Sequence, residues 1–272
     1  MNTRVDKRDS KDNPYWRALA DEELTFQIEG LVSHEAVTLD RVSRRSSLLE
    51  QFDDSRRALT SAKTDAYDQF QQRALDLVAS ERTRHALDIT QEPAKLRDAY
   101  GRHLFGQSTL MARRLIEAGT RFVTVHYDCV DGYSWDSHRN SDDVKKHLLP
   151  TLDSALSALL VDLDDRGLLD ETLVVCMGEM GRTPKANANW GRNHLSTLFP
   201  AVLAGAGVRR GAVWGETDKD AAYATTLPTS PEDLAATVYH ALGVSHELRL
   251  PDATGRPTHV VDGGKPLLEL FG

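Results

Sequence analysis

The chain has 272 residues, of which 40% are hydrophobic, enough to bury the core of one large domain. Its formal net charge of -8 disfavours a nucleic-acid partner, because phosphate binding needs a basic surface. No stretch reaches the roughly 18 apolar residues of a membrane span, and the charged first residues have no apolar core of a secretion signal. Two cysteines without paired spacing indicate neither a disulfide framework nor a thiolate zinc site.

Residues 1–60 are dense in charge and poor in large apolar clusters, which is typical of a solvated arm. Within them, residues 41–57 also fit a short amphipathic helix around Leu48, Leu49 and Phe52. We therefore expect a charged amino-terminal arm over residues 1–60 and one α/β domain over residues 61–272.

Helical spacing of apolar residues recurs in the next two stretches. The first covers residues 64–80 and places on one face Tyr67, Phe70, Ala74, Leu77 and Val78. The second runs from Ala94 to Ala118, with a break expected near Gly101. Gly119 follows it in the position of a C-cap glycine.

The period changes at residues 121–127, RFVTVHY, which predict a β-strand. Leucines at three- and four-residue steps then predict a helix that either kinks or begins at Pro150 and ends at Gly167. The apolar runs over residues 173–177 and 200–204 predict two buried strands.

A further helix is predicted from a strong start signal at residue 230. Ser230 is a favoured N-cap, Pro231 suits the first helical position, and acids follow in the first turn. Gly243 ends this helix. A short strand over residues 259–261 is expected in the carboxyl-terminal part.

Strands that alternate with helices favour right-handed βαβ crossovers. We therefore expect an α/β fold with a largely parallel sheet flanked by helices on both faces. In such folds ligands bind outside the carboxyl ends of the strands. Polar residues that follow the predicted strands are accordingly the candidates for chemistry.

The first polar cluster is WDSH, downstream of the strand predicted over residues 121–127. Asp136 and His138 are two residues apart and can point the same way in an extended segment, as two ligands of one metal ion do. The alternative is a surface Asp and His beside a packed Trp135.

Two further clusters follow the strand predicted over residues 173–177. Glu179 leaves the strand between two glycines, which let another group approach, although an ion-paired or helix-capping Glu is the alternative. Arg182 is either a bidentate anion ligand or a surface charge.

His194 supplies a second imidazole unless it is a hydrogen-bonded core histidine, and Asn193 is a weaker oxygen ligand or a hydrogen-bond partner. Together, two histidines and two carboxylates suit zinc, manganese or iron.

A series of stretches, in this order, resembles the domain-of-unknown-function 1501 family, a bacterial family distantly related to alkaline phosphatases and sulfatases. These stretches are RRSSLLEQFD, YGRHLFGQSTLMARRLIEAGTRFVTV, WDSH, LLPTLDSALSALL, GEMGRTP, GRNHL, LAGAGV, GETDKD, SPEDLAATVYHALG and VDGGKP. They lie between about Arg41 and Phe271.

The resemblance implies an alkaline-phosphatase-like fold that hydrolyses a phosphate or sulfate ester, either of a small molecule or of a polymer. A divalent metal ion would be held by Asp136, His138, Glu179 and His194. Arg182 and Asn193 would lie against the anionic group of the substrate.

Two departures from the superfamily pattern support a competing hypothesis. Met180 stands where phosphatase relatives often have His, and Asn193 replaces the usual Asp. Because the matching stretches begin near Arg41, the resemblance also implies a carboxyl-terminal portion that lacks the amino-terminal strand or strands. Such a portion favours self-association or a partner segment, and little ester turnover on its own. Full-length relatives are often exported. The competing hypothesis is a non-catalytic binding or scaffold protein that retains the fold.

Overall fold

The computed structural model describes residues 15–24, 26, 44, 47, 69, 70, 73, 76, 80–127, 135–139 and 141–272. The chain divides into two compact units, Met1–Tyr127 and Asp128–Gly272. The domain boundary expected near residue 60 falls outside the described residues.

The two helices expected before residue 80 lie mostly outside the described part. From the segment over residues 41–57, only Arg44 and Ser47 are described, and both are helical and exposed. From the segment over residues 64–80, the described helical residues are Gln69, Phe70, Arg73 and Asp76, all exposed. None of the described helices combines the length and apolarity needed to cross a bilayer.

Residues 80–127 form three α-helices: α1 (Glu81–Leu87), α2 (Ala94–Tyr100) and α3 (Leu104–Glu117), with a 3-10 turn at Ile89–Gln91. The predicted break near Gly101 is confirmed, because this residue has a φ of 90° and separates α2 from α3. Gly119, with a φ of 92°, follows the end of α3 as predicted.

The core of the first unit joins the segment over residues 15–26 to these helices. Its buried residues are Leu19, Leu24, Ile89 and Leu104, against which Tyr15, Phe26 and Met111 pack. Beside it lies a buried ion network: Glu92 Oε1 is 2.7 Å from Arg113 Nη2 and also contacts Arg114 Nη1. This network ties α3 to the turn before α2.

In the second unit, a π-helical turn at Val144–Leu148 leads into α4 (Leu149–Asp165). Pro150 lies in the first turn of α4, directly after the π-helical turn, so the α-helix begins there. Gly167, with a φ of 68°, follows its end as predicted. A 3-10 turn at Leu169–Glu171 leads into the first strand.

The start signal at residue 230 is confirmed in α5 (Pro231–Ala241). The Ser230 hydroxyl accepts a hydrogen bond from the Asp233 N–H at 3.1 Å, and Asp233 accepts one from the Ser230 N–H at 2.9 Å. Gly243, with a φ of 72°, follows the helix as predicted. A 3-10 turn at Leu268–Leu270 lies near the end of the chain.

The strands are all in the second unit of the described structure. They are β1 (Val174–Met177), β2 (Gly181–Arg182), β3 (His194–Leu195), β4 (Ala201–Ala204), β5 (Glu216–Thr217), β6 (Ala224–Thr226), β7 (Arg249–Pro251) and β8 (Pro257–His259). They pair as four two-stranded antiparallel sheets, β1 with β4, β2 with β3, β5 with β6, and β7 with β8.

The expected α/β fold with a largely parallel sheet flanked by helices, alkaline-phosphatase-like and short of its amino-terminal strands, is therefore wrong. The described residues contain five α-helices and only these short antiparallel sheets. A parallel pair needs a crossover connection, usually a helix. Between β1 and β4 the chain instead forms loops and the β2–β3 pair, so β4 runs back antiparallel to β1.

The individual strand predictions had mixed outcomes. The runs over residues 173–177 and 200–204 do form β1 and β4, but neither is fully buried: Met177 is 48% and Val202 53% exposed. The strand predicted over residues 121–127 is wrong, since these residues pair with no strand of the described structure. The strand predicted over residues 259–261 lies earlier, ending at His259.

Candidate metal centre

Two segments of the second unit build the candidate site: residues 135–139, which contain the WDSH motif, and residues 181–195, which run from β2 to β3. A backbone hydrogen bond joins them, from the Arg192 N–H to the Ser137 carbonyl at 2.8 Å, and Ser141, just after the first segment, donates its N–H to the Trp190 carbonyl at 2.8 Å. The Asn187 side chain also donates to the His138 carbonyl at 3.0 Å. The segments are therefore held together by the backbone around the candidate ligands.

Gly191 permits the closest approach between the two segments. A Cβ atom at this position would lie 2.0 Å from both the carbonyl carbon and the carbonyl oxygen of His138. No side chain fits in that space, so the glycine of the GRNH motif is required by packing. Its neighbour Trp190 adopts a φ of 58°, which is unusual for a bulky residue and turns the loop at this point.

The β2–β3 pair sets the direction of two site residues. Arg182 lies directly opposite His194 in the antiparallel register, so both side chains stand on the same face. Thr183 extends this pairing, since its N–H donates to the Asn193 carbonyl at 2.9 Å and its hydroxyl accepts from the Asn193 N–H at 3.1 Å.

Three of the predicted ligands converge, and we call them the trio: Asp136, His138 and His194. Asp136 Oδ1 is 3.1 Å from His138 Nε2 and 3.0 Å from His194 Nε2. The two imidazole nitrogens are themselves 3.0 Å apart. The three potential metal-ligand atoms thus form a nearly equilateral triangle.

Hydrogen bonds alone cannot satisfy this triangle. Each neutral imidazole carries one N–H, and a carboxylate oxygen only accepts. At most two Nε2 hydrogens are available for three contacts, so one edge always joins two lone pairs or two hydrogens. A cation in the triangle would satisfy all three atoms at once.

The chemistry and spacing of the trio fit a divalent metal ion. One carboxylate and two imidazoles are ordinary ligands of zinc, manganese or iron. A tetrahedral ion about 2.1 Å from each ligand separates the ligand atoms by about 3.4 Å. The observed 3.0–3.1 Å is a few tenths of an ångström shorter, which small side-chain rotations would correct.

The site is open to solvent and electrostatically biased towards a charged carboxylate. The trio side chains are 45–56% exposed. Hydrogen bonding from His194, followed by the Arg182 guanidinium, lowers the pKa of Asp136 from 3.8 to about 2. Asp136 is therefore a negatively charged carboxylate at neutral pH, which is the form that binds a cation.

The other three predicted site residues surround the trio without joining it. Glu179 lies 3.2 Å from Arg182 Nη2, and Arg182 Nη1 lies 2.6 Å from Asp136 Oδ1. The Asn193 side chain accepts a hydrogen bond from Asn187 at 3.1 Å. Arg182 therefore connects Glu179 to the trio, and Asn193 belongs to the loop.

Sequence reasoning did not single out Asn187. Its side chain contacts both segments, donating to His138 and Asn193 and accepting from the N–H groups of Asn189 and Gly191 at 2.9 and 3.0 Å. The signal was present, because Asn favours turns in which its side chain binds the backbone two residues later.

The sequence of the chain matches one known protein family. The model of the family described as "Protein of unknown function (DUF1501)" matches residues 7–271. The chain belongs to this family. The DUF1501 match therefore begins well before the region near Arg41 in which the matching sequence stretches start, and it includes every residue of the trio. No curated protein and no solved structure matches the chain.

Proposed function

We propose that this DUF1501 protein is a metal-dependent hydrolase of phosphate or sulfate esters, and that Asp136, His138 and His194 hold its metal ion. The observation that carries the proposal is the triangle of ligand atoms 3.0–3.1 Å apart. Three protein ligands and access for water are the pattern of catalytic metal sites, whereas structural zinc sites are closed by four protein ligands.

The surroundings of the trio suit an anionic substrate. Arg182 is 20% exposed and faces the same side as His194, so its guanidinium is placed to bind a phosphoryl or sulfuryl oxygen. When bound, a divalent ion polarises the ester oxygen and stabilises the negative charge that develops in the transition state.

The side-chain hydroxyls of the two segments donate hydrogen bonds to backbone carbonyls. Ser137 Oγ donates to the Arg139 carbonyl at 3.2 Å, and Thr183 Oγ1 donates to the Lys185 carbonyl at 3.1 Å. Neither of these two hydroxyls is placed as a nucleophile with a neighbouring base, so we propose that a water molecule attacks the ester.

Metal content tests the proposal directly. We expect the purified chain to bind one divalent ion, and Asp136→Ala or His194→Ala to lose most of it in elemental analysis. His246→Ala, which changes a histidine outside the trio, is the matched control and should keep its metal. Unchanged metal content in both trio variants would exclude this site.

A non-catalytic cation-binding or scaffold protein is the second candidate function. It is favoured by the engaged hydroxyl groups and by the position of Arg182 between two carboxylates. The two functions separate in an assay of the metal-loaded chain with a generic aryl phosphate and an aryl sulfate. Hydrolysis that Asp136→Ala abolishes supports the hydrolase, and stoichiometric metal binding without hydrolysis supports the scaffold.

A further inference from the structure

One carboxylate oxygen is shared by three groups at the candidate metal centre. Asp136 Oδ1 lies 2.6 Å from Arg182 Nη1, closer than to the Nε2 atoms of His194 and His138 at 3.0 and 3.1 Å. A cation held by the trio needs this same oxygen. The Arg182 guanidinium and a bound metal ion would therefore be two positive charges on one oxygen atom.

Arg182 has a second partner on its other side. Its Nη2 atom lies 3.2 Å from Glu179 Oε1, three residues earlier in the chain. The Arg182 backbone is held in the β2–β3 pair, so the guanidinium can shift only through side-chain rotation. Glu179 is 63% exposed and can accommodate that shift.

We propose that Arg182 is a positioning residue whose guanidinium moves from Asp136 towards Glu179 when a divalent cation occupies the trio. The inference rests on the cation site of the proposed function. Like charges repel, so a bound cation weakens the Arg182–Asp136 ion pair and leaves Glu179 as the remaining partner. Nη1 then loses its carboxylate and becomes available to an oxyanion beside the ion.

The consequence is positive cooperativity between a cation and a tetrahedral oxyanion. Without the cation, Nη1 is engaged by Asp136 and the oxyanion must displace a carboxylate. With the cation, both the ion and the released guanidinium attract the oxyanion. Coupling between two ligands is reciprocal, so the oxyanion must also tighten cation binding by the same factor.

The experiment is a titration of the full chain with Mn²⁺, in chloride and in sulfate at matched ionic strength, by calorimetry and by the electron paramagnetic resonance of free Mn²⁺. We expect sulfate to tighten Mn²⁺ binding to the wild type by about tenfold. Arg182→Gln should bind Mn²⁺ in chloride at least as tightly as the wild type, because a competing positive charge is gone, and should not respond to sulfate.

Two further variants separate position from charge. Glu179→Gln removes the second partner, so Arg182 stays on Asp136 and Mn²⁺ binding in chloride should weaken severalfold. Lys185→Gln removes a positive charge from an exposed residue of the same loop and should respond to sulfate like the wild type.

The outcomes distinguish this inference from the proposed function. If the wild type binds no Mn²⁺ in either salt, the metal site and the inference both fail. If the wild type binds Mn²⁺ but sulfate leaves the affinity unchanged, only the coupling is overturned. The coupling is likewise overturned if Arg182→Gln weakens Mn²⁺ binding as severely as Asp136→Asn, since Arg182 would then serve only to orient the carboxylate.

Discussion

Two polar clusters of the molecule have a similar arrangement, a carboxylate oxygen contacted by several groups, but differ in how far solvent reaches them. In the first unit, Glu92 Oε1 is shared by Arg113 and Arg114, and the three side chains are 0–7% exposed. In the second unit, Asp136 Oδ1 is shared by Arg182 and the two imidazoles of the trio, which are 45–47% exposed. Each cluster places several positive or hydrogen-donating groups on a single carboxylate oxygen.

The difference lies in what each carboxylate oxygen can still bind. Burial raises the pKa of Glu92, but hydrogen bonds and charge from Arg113 and Arg114 outweigh burial and leave the pKa below its usual value. Both partners are permanent cations with no lone pair for a metal ion. An imidazole nitrogen can instead present a lone pair to a metal ion, and both imidazoles of the trio are reached by solvent, so the trio keeps its capacity to bind a ligand. Burial and partner type thus separate a structural charge cluster from a candidate site.

Breaking the buried network should have the largest effect on stability. Glu92→Gln removes the buried carboxylate that Arg113 and Arg114 share, and breaking a buried ion pair by removing one partner typically costs about 3–5 kcal/mol. We expect that loss in the free energy of unfolding from urea denaturation of the first unit. Cation binding by the trio should be unchanged under conditions in which the variant is folded.

Glu117→Gln is the matched control for this substitution. Glu117 is 44% exposed and lies 2.5 Å from Arg113 Nη1, so the same arginine loses a partner at the surface. Losing a partner that stays hydrated costs less than losing a buried one, so we expect a smaller loss than for Glu92→Gln. Equal losses for both glutamates would show that burial does not decide the energy of this network.

A second buried group sharpens the comparison through its pH dependence. His103 is 6% exposed and caps α3, its Nδ1 accepting a hydrogen bond from the Gly106 N–H at 3.1 Å. Burial lowers the pKa of His103 from 6.5 to about 4. Between these values the unfolded chain binds a proton that the folded chain does not, so stability falls as the pH decreases.

The expected loss is up to about 3 kcal/mol between pH 6.5 and pH 4, from about 1.36 kcal/mol per pKa unit. His103→Asn keeps a favoured N-cap acceptor and cannot be protonated in this range. Urea denaturation at several pH values should therefore give the variant a smaller loss than the wild type. Parallel pH profiles for the two proteins would contradict the assignment to His103.

The site has a backbone weak point that can be tested without changing a ligand. Gly191→Ala places a methyl group 2.0 Å from the His138 carbonyl, so the two segments must move apart. We expect a loss of about 1–3 kcal/mol in stability, as for other overpacked positions. Mn²⁺ affinity should fall as well, because His138 moves away from His194.

Gly178→Ala provides the comparison for this glycine. Its added methyl group would lie 3.6 Å from the Met180 carbonyl oxygen, an ordinary contact, and the residue precedes the same loop. We expect little change in stability or in Mn²⁺ affinity. Equal effects at both glycines would show that the close approach at Gly191 does not hold the site together.

Local signals in the sequence predicted helix ends better than sheet topology. Gly101, Gly167 and Ser230 mark helix boundaries because a left-handed φ or an N-cap hydrogen bond depends on one residue and its neighbours. Strand direction depends on distant partners. The run over residues 121–127 has the composition of a strand but pairs with none in the described structure.

The sequence predicted the residue types of the candidate site, but not which of these residues contact one another. The spacing of Asp136 and His138 indicated two ligands of one ion, and these residues do meet His194. Glu179 carries the same chemistry, yet the structure places it against Arg182. The contact of Glu179 with Arg182 is local, between residues three apart, whereas the meeting of Asp136 with His194 depends on how two distant segments pair, which the sequence does not encode locally.

The smallest effect is expected at a third polar cluster, where every hydrogen has its own acceptor. The two carboxylate oxygens of Asp233 accept separately from the N–H groups of Ser230 and Lys265, each at 2.9 Å, and the Ser230 hydroxyl accepts from the Asp233 N–H. Unlike the trio, this cluster leaves no contact unsatisfied, so it should stabilise α5 and bind no cation.

Ser230→Ala should cost about 1 kcal/mol in the free energy of unfolding, whereas Ser230→Thr, which keeps the hydroxyl, should cost less. Hydrogen bonds from the Ser230 and Lys265 backbones lower the pKa of Asp233, so its contribution is present above the unfolded pKa of 3.8 and is lost as the pH falls through the folded value. The loss caused by Asp233→Asn, which removes the titrating carboxylate, should therefore be largest near neutral pH and shrink in acid, and a loss that grows in acid would contradict the capping role of this cluster.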